Sequence, residues 1–197
     1  MPAGRDAAPV SLQPIRPPML TYILIGLAVL IIGFLIAASL RPDELRVERR
    51  ITLSAPAAIA FGQINDLHKW QEMSPYVKED PAAKTAFAGP AAGVGASFSW
   101  SGNVKVGEGR MTIMESRPHE LVRFKFEFFK PWYCTNTTDF IFRSTPSGTE
   151  VTWAMSMKNN FIAKASGLVM NMDKMIGENF EVGLAKLKEI AEAAAKQ

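Results

Sequence analysis

The sequence predicts an α+β domain that follows a single apolar helix. Three observations predict this: an uncharged apolar run near the N-terminus, seven segments with the alternation of β-strands, and a long amphipathic stretch at the C-terminal end. After the apolar run the element order is β-α-α-β6-α. An antiparallel sheet in this order has to bury one face against the long helix, so we expect a sheet layer covered by helices.

The amino-acid composition excludes several classes of protein. Of 197 residues, 48% are hydrophobic and 21% are charged, which supports a packed core and excludes a mostly disordered chain. The net charge of +3 is too small for a nucleic-acid-binding surface, so we expect no nucleic-acid partner. A single cysteine, Cys134, and two histidines, His68 and His119, argue against a disulfide framework and a zinc site. We therefore expect neither a metal nor a cofactor.

The apolar run covers residues 19–40 and contains no charged side chain. At about 1.5 Å per residue, a helix of this length crosses the roughly 30 Å hydrocarbon core of a bilayer. We predict a transmembrane helix that makes a single pass. The alternative is a cleaved signal peptide, but the run exceeds the usual apolar region of roughly 7–15 residues and Ala38-Ser39-Leu40 is a weak cleavage context.

Charges beside the helix predict its orientation. Two arginines precede it and four follow it closely, so the positive-inside rule favours a cytoplasmic domain. These arginines are Arg5, Arg16, Arg41, Arg46, Arg49 and Arg50. Residues 1–18 contain five prolines and are expected to form a disordered tail. Residues 41–44 would be a short linker and residues 45–197 the domain.

The domain opens with a strand over residues 45–53, where apolar and polar residues alternate except at Arg49-Arg50. Pro56 then begins a short helix, and a second short helix covers residues 67–73. Six further strands are predicted, the clearest being Phe124-Lys125-Phe126-Glu127-Phe128, and a long amphipathic helix covers residues 171–195. The six strands are residues 84–88, 96–101, 107–117, 121–129, 133–144 and 149–158.

Several motifs, taken together and in order, resemble a known family. They are Val47-Glu48-Arg49, Asn65-Asp66-Leu67-His68-Lys69-Trp70, Gly93-Val94-Gly95-Ala96, Gly109-Arg110-Met111-Thr112, Lys158-Asn159-Asn160-Phe161 and Met170 to Gly177. The chain resembles the polyketide cyclase/dehydrase branch of the START/Bet v 1-like (SRPBCC) superfamily, in its bacterial members with an N-terminal membrane helix. The resemblance covers about residues 45–191. It implies a helix-grip fold, in which a curved seven-stranded sheet wraps the C-terminal helix and leaves a hydrophobic cavity.

The expected lining of this cavity consists of inward strand and helix positions. Methionine is frequent, and its flexible side chain suits a pocket for varied apolar ligands. Asn136 and Thr138 share their strand parity with Phe140 and Phe142, so we expect them to be polar contacts inside the cavity. The full predicted ligand-binding set is Phe98, Trp100, Phe124, Phe126, Asn136, Thr138, Trp153, Met155 and Met172.

The candidate catalytic residues form no recognisable constellation. His68 lacks an adjacent nucleophile, Cys134 is expected to be a small buried hydrophobe, Asp139 has outward parity, and Glu115 lies at a strand end. We therefore predict no catalytic residue, and a membrane-anchored domain that binds or carries a hydrophobic small molecule such as a lipid, a quinone or an aromatic polyketide. The alternatives are a protein-interaction or chaperone-regulating module with a filled core and a polyketide cyclase or dehydratase.

Overall fold

The computed structural model describes residues 18–197. The expected disordered tail therefore lies, apart from Pro18, outside the described residues. One apolar helix is followed by a seven-stranded sheet and four further helices. The elements are α1 (Met19–Ser39), β1 (Glu44–Leu53), α2 (Ala57–Asn65), α3 (Leu67–Met73), a 3₁₀ turn (Pro75–Lys78), β2 (Lys84–Ala88), β3 (Ser97–Ser101), β4 (Glu108–Arg117), β5 (Leu121–Lys130), β6 (Cys134–Thr145), β7 (Gly148–Lys158), α4 (Phe161–Val169) and α5 (Met172–Ala194).

The sheet is antiparallel throughout, in the order β1-β7-β6-β5-β4-β3-β2. Strand β1, the first in the chain, therefore pairs with β7, the last strand in the chain. Residues directly opposite each other in an antiparallel pair point to the same face, so the register Val47–Met155–Thr138–Phe124 defines one continuous face. This concave face receives α5, and the arrangement is the helix-grip fold expected from the sequence.

Helix α5 runs along β1. Its first half is fastened to the middle of the strand by Arg49, which pairs with Asp173. Its second half reaches the end of the strand, where Glu192 accepts a hydrogen bond of 2.7 Å from the Ser54 amide. The side of α5 that faces the sheet is apolar and buried. Its buried residues are Gly177, Phe180, Gly183, Leu184, Leu187 and Ala191.

Helix α4 was not predicted by the sequence analysis, in which the long C-terminal helix begins at residue 171. The chain is extended at Met170, and Asn171 then caps α5 by accepting a 3.0 Å hydrogen bond from the Lys174 amide. Asn160 caps α4 in the same way through the Ala163 amide. Two asparagine caps thus divide what seemed one apolar run into two helices.

The concave face has a closed end and an open end. The closed end is where β1 finishes and β7 begins, and Leu53 and Val151 are fully buried there. The open end is where β1 begins and β7 finishes, and Leu45 and Met157 are only partly buried there. Burial also falls along β5, from Phe124, which is 0% exposed, to the partly exposed Phe126.

Candidate functional site

The candidate site is a groove on the concave face at its open end. Three aromatic side chains form its wall. Trp100 lies with its ring centroid 5.6 Å from Phe128 and 6.4 Å from Phe126, and the two phenylalanine rings are nearly parallel at 6.2 Å. All three are partly exposed, so apolar ring faces remain accessible to a ligand.

Gly109 makes room for this aromatic wall. It lies opposite both Trp100 and Phe128 in the sheet. A Cβ atom at Gly109 would lie 2.5 Å from Cζ2 of the Trp100 indole, so only glycine lets the ring pack over this strand. The indole Nε1 donates a 3.2 Å hydrogen bond to the carbonyl oxygen of Val106, which fixes the ring orientation.

A polar pair lies beside the aromatic wall. Asn136 is opposite Phe126 in the sheet and Thr138 is opposite Phe124. Both are buried, at 9% and 3% exposure, and the Thr138 hydroxyl donates a 3.1 Å hydrogen bond to Oδ1 of Asn136. The two polar residues therefore lie on the concave face, as their strand parity predicts.

The structure divides the nine predicted ligand-binding residues into two groups. Eight lie on the concave face, and Met172 is the first residue of α5. Trp100, Phe126 and Met172 are partly exposed. The other six are buried, namely Phe98, Phe124, Asn136, Thr138, Trp153 and Met155. The sequence pattern identified the face, and the fold determines which part of that face a ligand can reach.

Trp153 shows how the closed end is filled. Its ring stacks on Phe180 of α5 at 4.2 Å and 9°, and it packs against Phe140 at 4.7 Å and Trp70 at 5.6 Å. A Cβ at Gly183 would lie 2.6 Å from Cζ3 of this indole. The buried Nε1 has no hydrogen-bond partner among the described residues. Within the Trp153 indole, Nε1 is bonded to the ring carbon that lies across the six-membered ring from Cζ3. The Nε1–H group therefore points away from Gly183.

Two hollows in the described part of the chain border the sheet. A small one, of about 90 Å³, lies between α3 and β2, beside His68 and Phe87. A larger depression, of about 590 Å³, lies mainly on the outer face of the sheet, beside Thr137, and Asn136 and Met157 of the concave face also border it. Neither of these two hollows is lined by a residue of α5. The groove is therefore marked by the partial exposure of its aromatic side chains.

Arg49 is a functional candidate that the sequence analysis missed. It lies on the concave face opposite Trp153, and its guanidinium donates hydrogen bonds to Asp173 at 3.0 and 3.2 Å and to Glu181 at 2.9 Å. These hydrogen bonds raise the pKa of Arg49 and lower that of Asp173. A Cβ at Gly177 would collide with the guanidinium. The signal in the sequence was the interrupted alternation at Arg49-Arg50.

Asp139 and Glu115, the two carboxylates considered as catalytic candidates, lie on the outer face of the sheet. Asp139 binds Arg123 through two hydrogen bonds of 2.8 Å, and Glu115 reaches the same guanidinium at 3.1 Å. The hydrogen bonds that Arg123 donates to Asp139 raise the pKa of Arg123. Both carboxylates are therefore engaged in ion pairs on the side of the sheet that faces away from α5.

The remaining titratable candidates also lie outside the groove. His68 stacks on Phe87 with the ring centroids 3.8 Å apart, and exposed His119 packs edge-on against Phe61. Burial raises the pKa of Cys134, which keeps its thiol protonated at neutral pH. Among residues 18–197, no group of three or more His, Cys, Asp or Glu side chains could hold a metal ion.

Helix α1 is long and apolar enough to cross a membrane, and its most apolar window is not buried by the rest of the chain. A signal sequence near an N-terminus has the same length and composition. At its C-terminal end, α1 contacts α4, and Ala38 is fully buried there.

Comparison with known proteins places residues 44–192 in one family model, described as polyketide cyclase / dehydrase and lipid transport. A search of curated protein sequences finds no significant match. The family match covers every strand of the sheet and most of α5.

Solved structures share the fold at low sequence identity. A protein from Chromobacterium violaceum has a TM-score of 0.53 and 14% identity over 77% of this chain and 99% of its own. The di-domain ARO/CYC StfQ from the steffimycin biosynthetic pathway has a TM-score of 0.56 and 11% identity over 78% of this chain and 53% of its own. The Aha1 dimer from Colwellia psychrerythraea has a TM-score of 0.53 and 16% identity over 75% of this chain and 96% of its own. At these identities the likeness establishes the fold alone.

Proposed function

We propose that the chain, which belongs to the polyketide cyclase/dehydrase and lipid transport family, binds a hydrophobic small molecule in the open groove of its concave face. The observation that carries this proposal is the aromatic wall of Trp100, Phe126 and Phe128, which is left partly exposed on the face that is otherwise the core. A ligand that covers these rings gains about 25 cal/mol for each Å² of apolar surface removed from water.

The groove favours an elongated or planar apolar ligand with a polar group. The aromatic wall offers flat faces for stacking, while Met157 and Met172 offer flexible side chains that adapt to shape. An asparagine amide has two N–H donors besides its oxygen. Asn136 can therefore bind a carbonyl or hydroxyl group of a ligand while it accepts the hydrogen bond from Thr138. A lipid, a quinone and an aromatic polyketide all meet this description.

The proposal includes a membrane anchor. Helix α1 would hold the domain at the bilayer in which such ligands dissolve, in a bacterial inner membrane. The four arginines that follow α1 support a cytoplasmic domain through the positive-inside rule. Binding rather than catalysis is favoured because His68, Glu115 and Asp139 lie outside the groove, whereas an acid or base has to reach its substrate.

Native mass spectrometry of the detergent-solubilised full chain tests ligand binding. Wild type and variants are equilibrated with a short-chain quinone or a fatty acid, and the bound mass is measured after the micelle is removed. The matched variants are Phe126→Gln, on the concave face, and Phe129→Gln, three residues further along the same strand, where a register shift leaves Phe129 unpaired and its ring stacks on Tyr133. We expect Phe126→Gln to lower the bound fraction about tenfold, which corresponds to roughly 1.4 kcal/mol, and Phe129→Gln to retain it.

A second pair checks the helix side of the groove. Met172→Lys places a charge at the start of α5, and Met114→Lys places the same charge at an exposed position of β4. Binding should fall in Met172→Lys alone. Equal retention in both members of both pairs would assign the bound mass to a surface away from the groove, such as that of α1. Equal loss in both members of either pair, or absence of bound mass in the wild type, would refute the groove and favour an interaction module.

A further inference from the structure

Helix α4 is unusual because its apolar side chains face outward. Each of its nine residues is described and none is buried, with Ile162 74% and Val169 79% exposed. Its one charged residue, Lys164, has a side chain that the rest of the protein largely covers, and this side chain pairs with Asp43. A helix on the surface of a soluble domain normally shows the reverse distribution. This outward apolar surface needs a partner.

The position of α4 indicates what that partner is. The helix lies against the C-terminal end of α1 and is fixed there by polar contacts: the Arg41 guanidinium donates to the Gly167 carbonyl, and the Asn159 amide donates to the Asp43 carbonyl at 2.8 Å. A 21-residue helix is about 31 Å long, close to the hydrocarbon thickness of a bilayer. If α1 spans the membrane, whatever contacts its end lies at the membrane surface.

A second exposed apolar segment lies at the same edge of the sheet. The loop between β5 and β6 carries Trp132 and Tyr133, which are 81% and 70% exposed. In an antiparallel sheet, the end of β5 and the start of β6 lie at the edge where β1 begins and β7 finishes. Tryptophan and tyrosine are enriched at the level of lipid headgroups.

We propose that this edge, defined as residues 161–170 together with residues 130–133, rests on the surface of the bilayer that α1 spans. The open end of the groove lies at the same edge, because Leu45, Phe126 and Met157 are there. The groove therefore faces the membrane, and an apolar ligand passes between bilayer and groove without crossing bulk water. This inference rests on the membrane anchor of the proposed function.

Lipid-quenching fluorescence of the full chain in nanodiscs tests this contact. The discs contain phosphatidylcholine and phosphatidylglycerol, with or without lipids brominated near the headgroup end of the acyl chain. The signal of the Trp132→Phe background, which retains three tryptophans, is subtracted from each variant made in it. After this subtraction, Val169→Trp reports on α4, and Val182→Trp is the control at an exposed position in the middle of α5. The fluorescence of the wild type minus that of Trp132→Phe reports on Trp132 in the loop itself.

We expect the brominated lipids to quench the Val169→Trp and Trp132 signals at least about twofold more than the Val182→Trp signal. Equal, weak quenching at all three positions in chains that co-elute with the discs would overturn the membrane contact while leaving the anchor intact. Chains that do not co-elute with the discs would refute both the anchor and the contact. Weak lipid quenching together with protection of these tryptophans from acrylamide would show that a second copy or another protein covers the edge instead, and it would also overturn the proposal.

Discussion

The closed and open ends of the concave face are built from the same strands and the same residue types, yet they differ in burial. Trp153 at the closed end is sandwiched by Phe140 and Phe180, whereas Trp100 at the open end keeps part of its ring accessible. On β5, Phe124 is fully buried and Phe126 is not. An alternating apolar pattern thus specifies a face, and the covering helix decides which stretch of that face is core and which is a binding surface.

Helix α5 is also held by two different kinds of contact. In its middle, close packing of Gly183 against the Trp153 ring fixes the helix on the sheet. In its first half, Arg49 holds it through exposed carboxylates of Asp173 and Glu181. Close apolar packing in cores contributes more to stability than solvent-exposed ion pairs do. The start of α5 is therefore held more weakly than its middle.

The largest expected effect comes from removing a tryptophan at the closed end. Trp153→Ala should lower the free energy of unfolding by about 3–5 kcal/mol, because the cavity left between Phe140 and Phe180 cannot collapse fully. For a domain of this size, that is a decrease in Tm of roughly 6–20 °C.

The matched control is Trp132→Ala, which removes the same side chain from an exposed loop. Its stability should change by less than about 0.5 kcal/mol. Differential scanning calorimetry of the full chain in detergent measures both variants. Similar decreases in Tm would contradict the distinction between a filled end and an open end.

Two glycine variants should change stability in opposite directions. At Gly183, a new Cβ would meet the rigid Trp153 ring at 2.6 Å, and overpacking of this kind costs about 1–3 kcal/mol. At Gly62 in α2, nothing lies within 4 Å of a new Cβ, so alanine should add roughly 0.5–1 kcal/mol through its better helix propensity. Urea denaturation measures the change in the free energy of unfolding for Gly183→Ala and for Gly62→Ala. A gain in stability for Gly183→Ala would disprove the tight contact.

The smallest effect concerns the ion pair between Arg49 and Asp173 at the start of α5, and it depends on pH. Asp173→Asn should lower the Tm by roughly 1–3 °C at neutral pH, because an exposed pair contributes only about 0.2–1 kcal/mol. Hydrogen bonds from Arg49 lower the pKa of Asp173 from 3.8, so the stabilisation is present above that value and is lost as the pH falls through the lower pKa of the folded state.

The difference in Tm between wild type and Asp173→Asn should therefore shrink as the pH is lowered below 3.8. Glu178→Gln serves as the control, because Glu178 pairs only loosely, at 3.9 Å, with Lys174 on the same helix. A difference that stays constant from neutral to acidic pH would show that the asparagine acts through packing and not through charge.

Much of the fold could be predicted from the sequence because period-two alternation is a local property. All seven strands lie within one residue of their predicted bounds, and Asn136 and Thr138 were assigned to the correct face. Helix α4 was missed because its small and apolar residues continue into the pattern of α5, and the separation depends on the caps at Asn160 and Asn171. Arg49 was missed because its partners are more than 120 residues away in the chain.

By itself, the sequence determined the order of the elements, the side of each strand that faces the helix and the presence of an apolar helix before the domain. Only the tertiary structure decided that Trp153 is covered by Phe180 while Trp100 and Phe126 remain partly exposed, and that the apolar side chains of α4 point outward beside α1. The physical reason is that periodicity is set by neighbours along the chain, whereas burial depends on which distant segment packs over a given position.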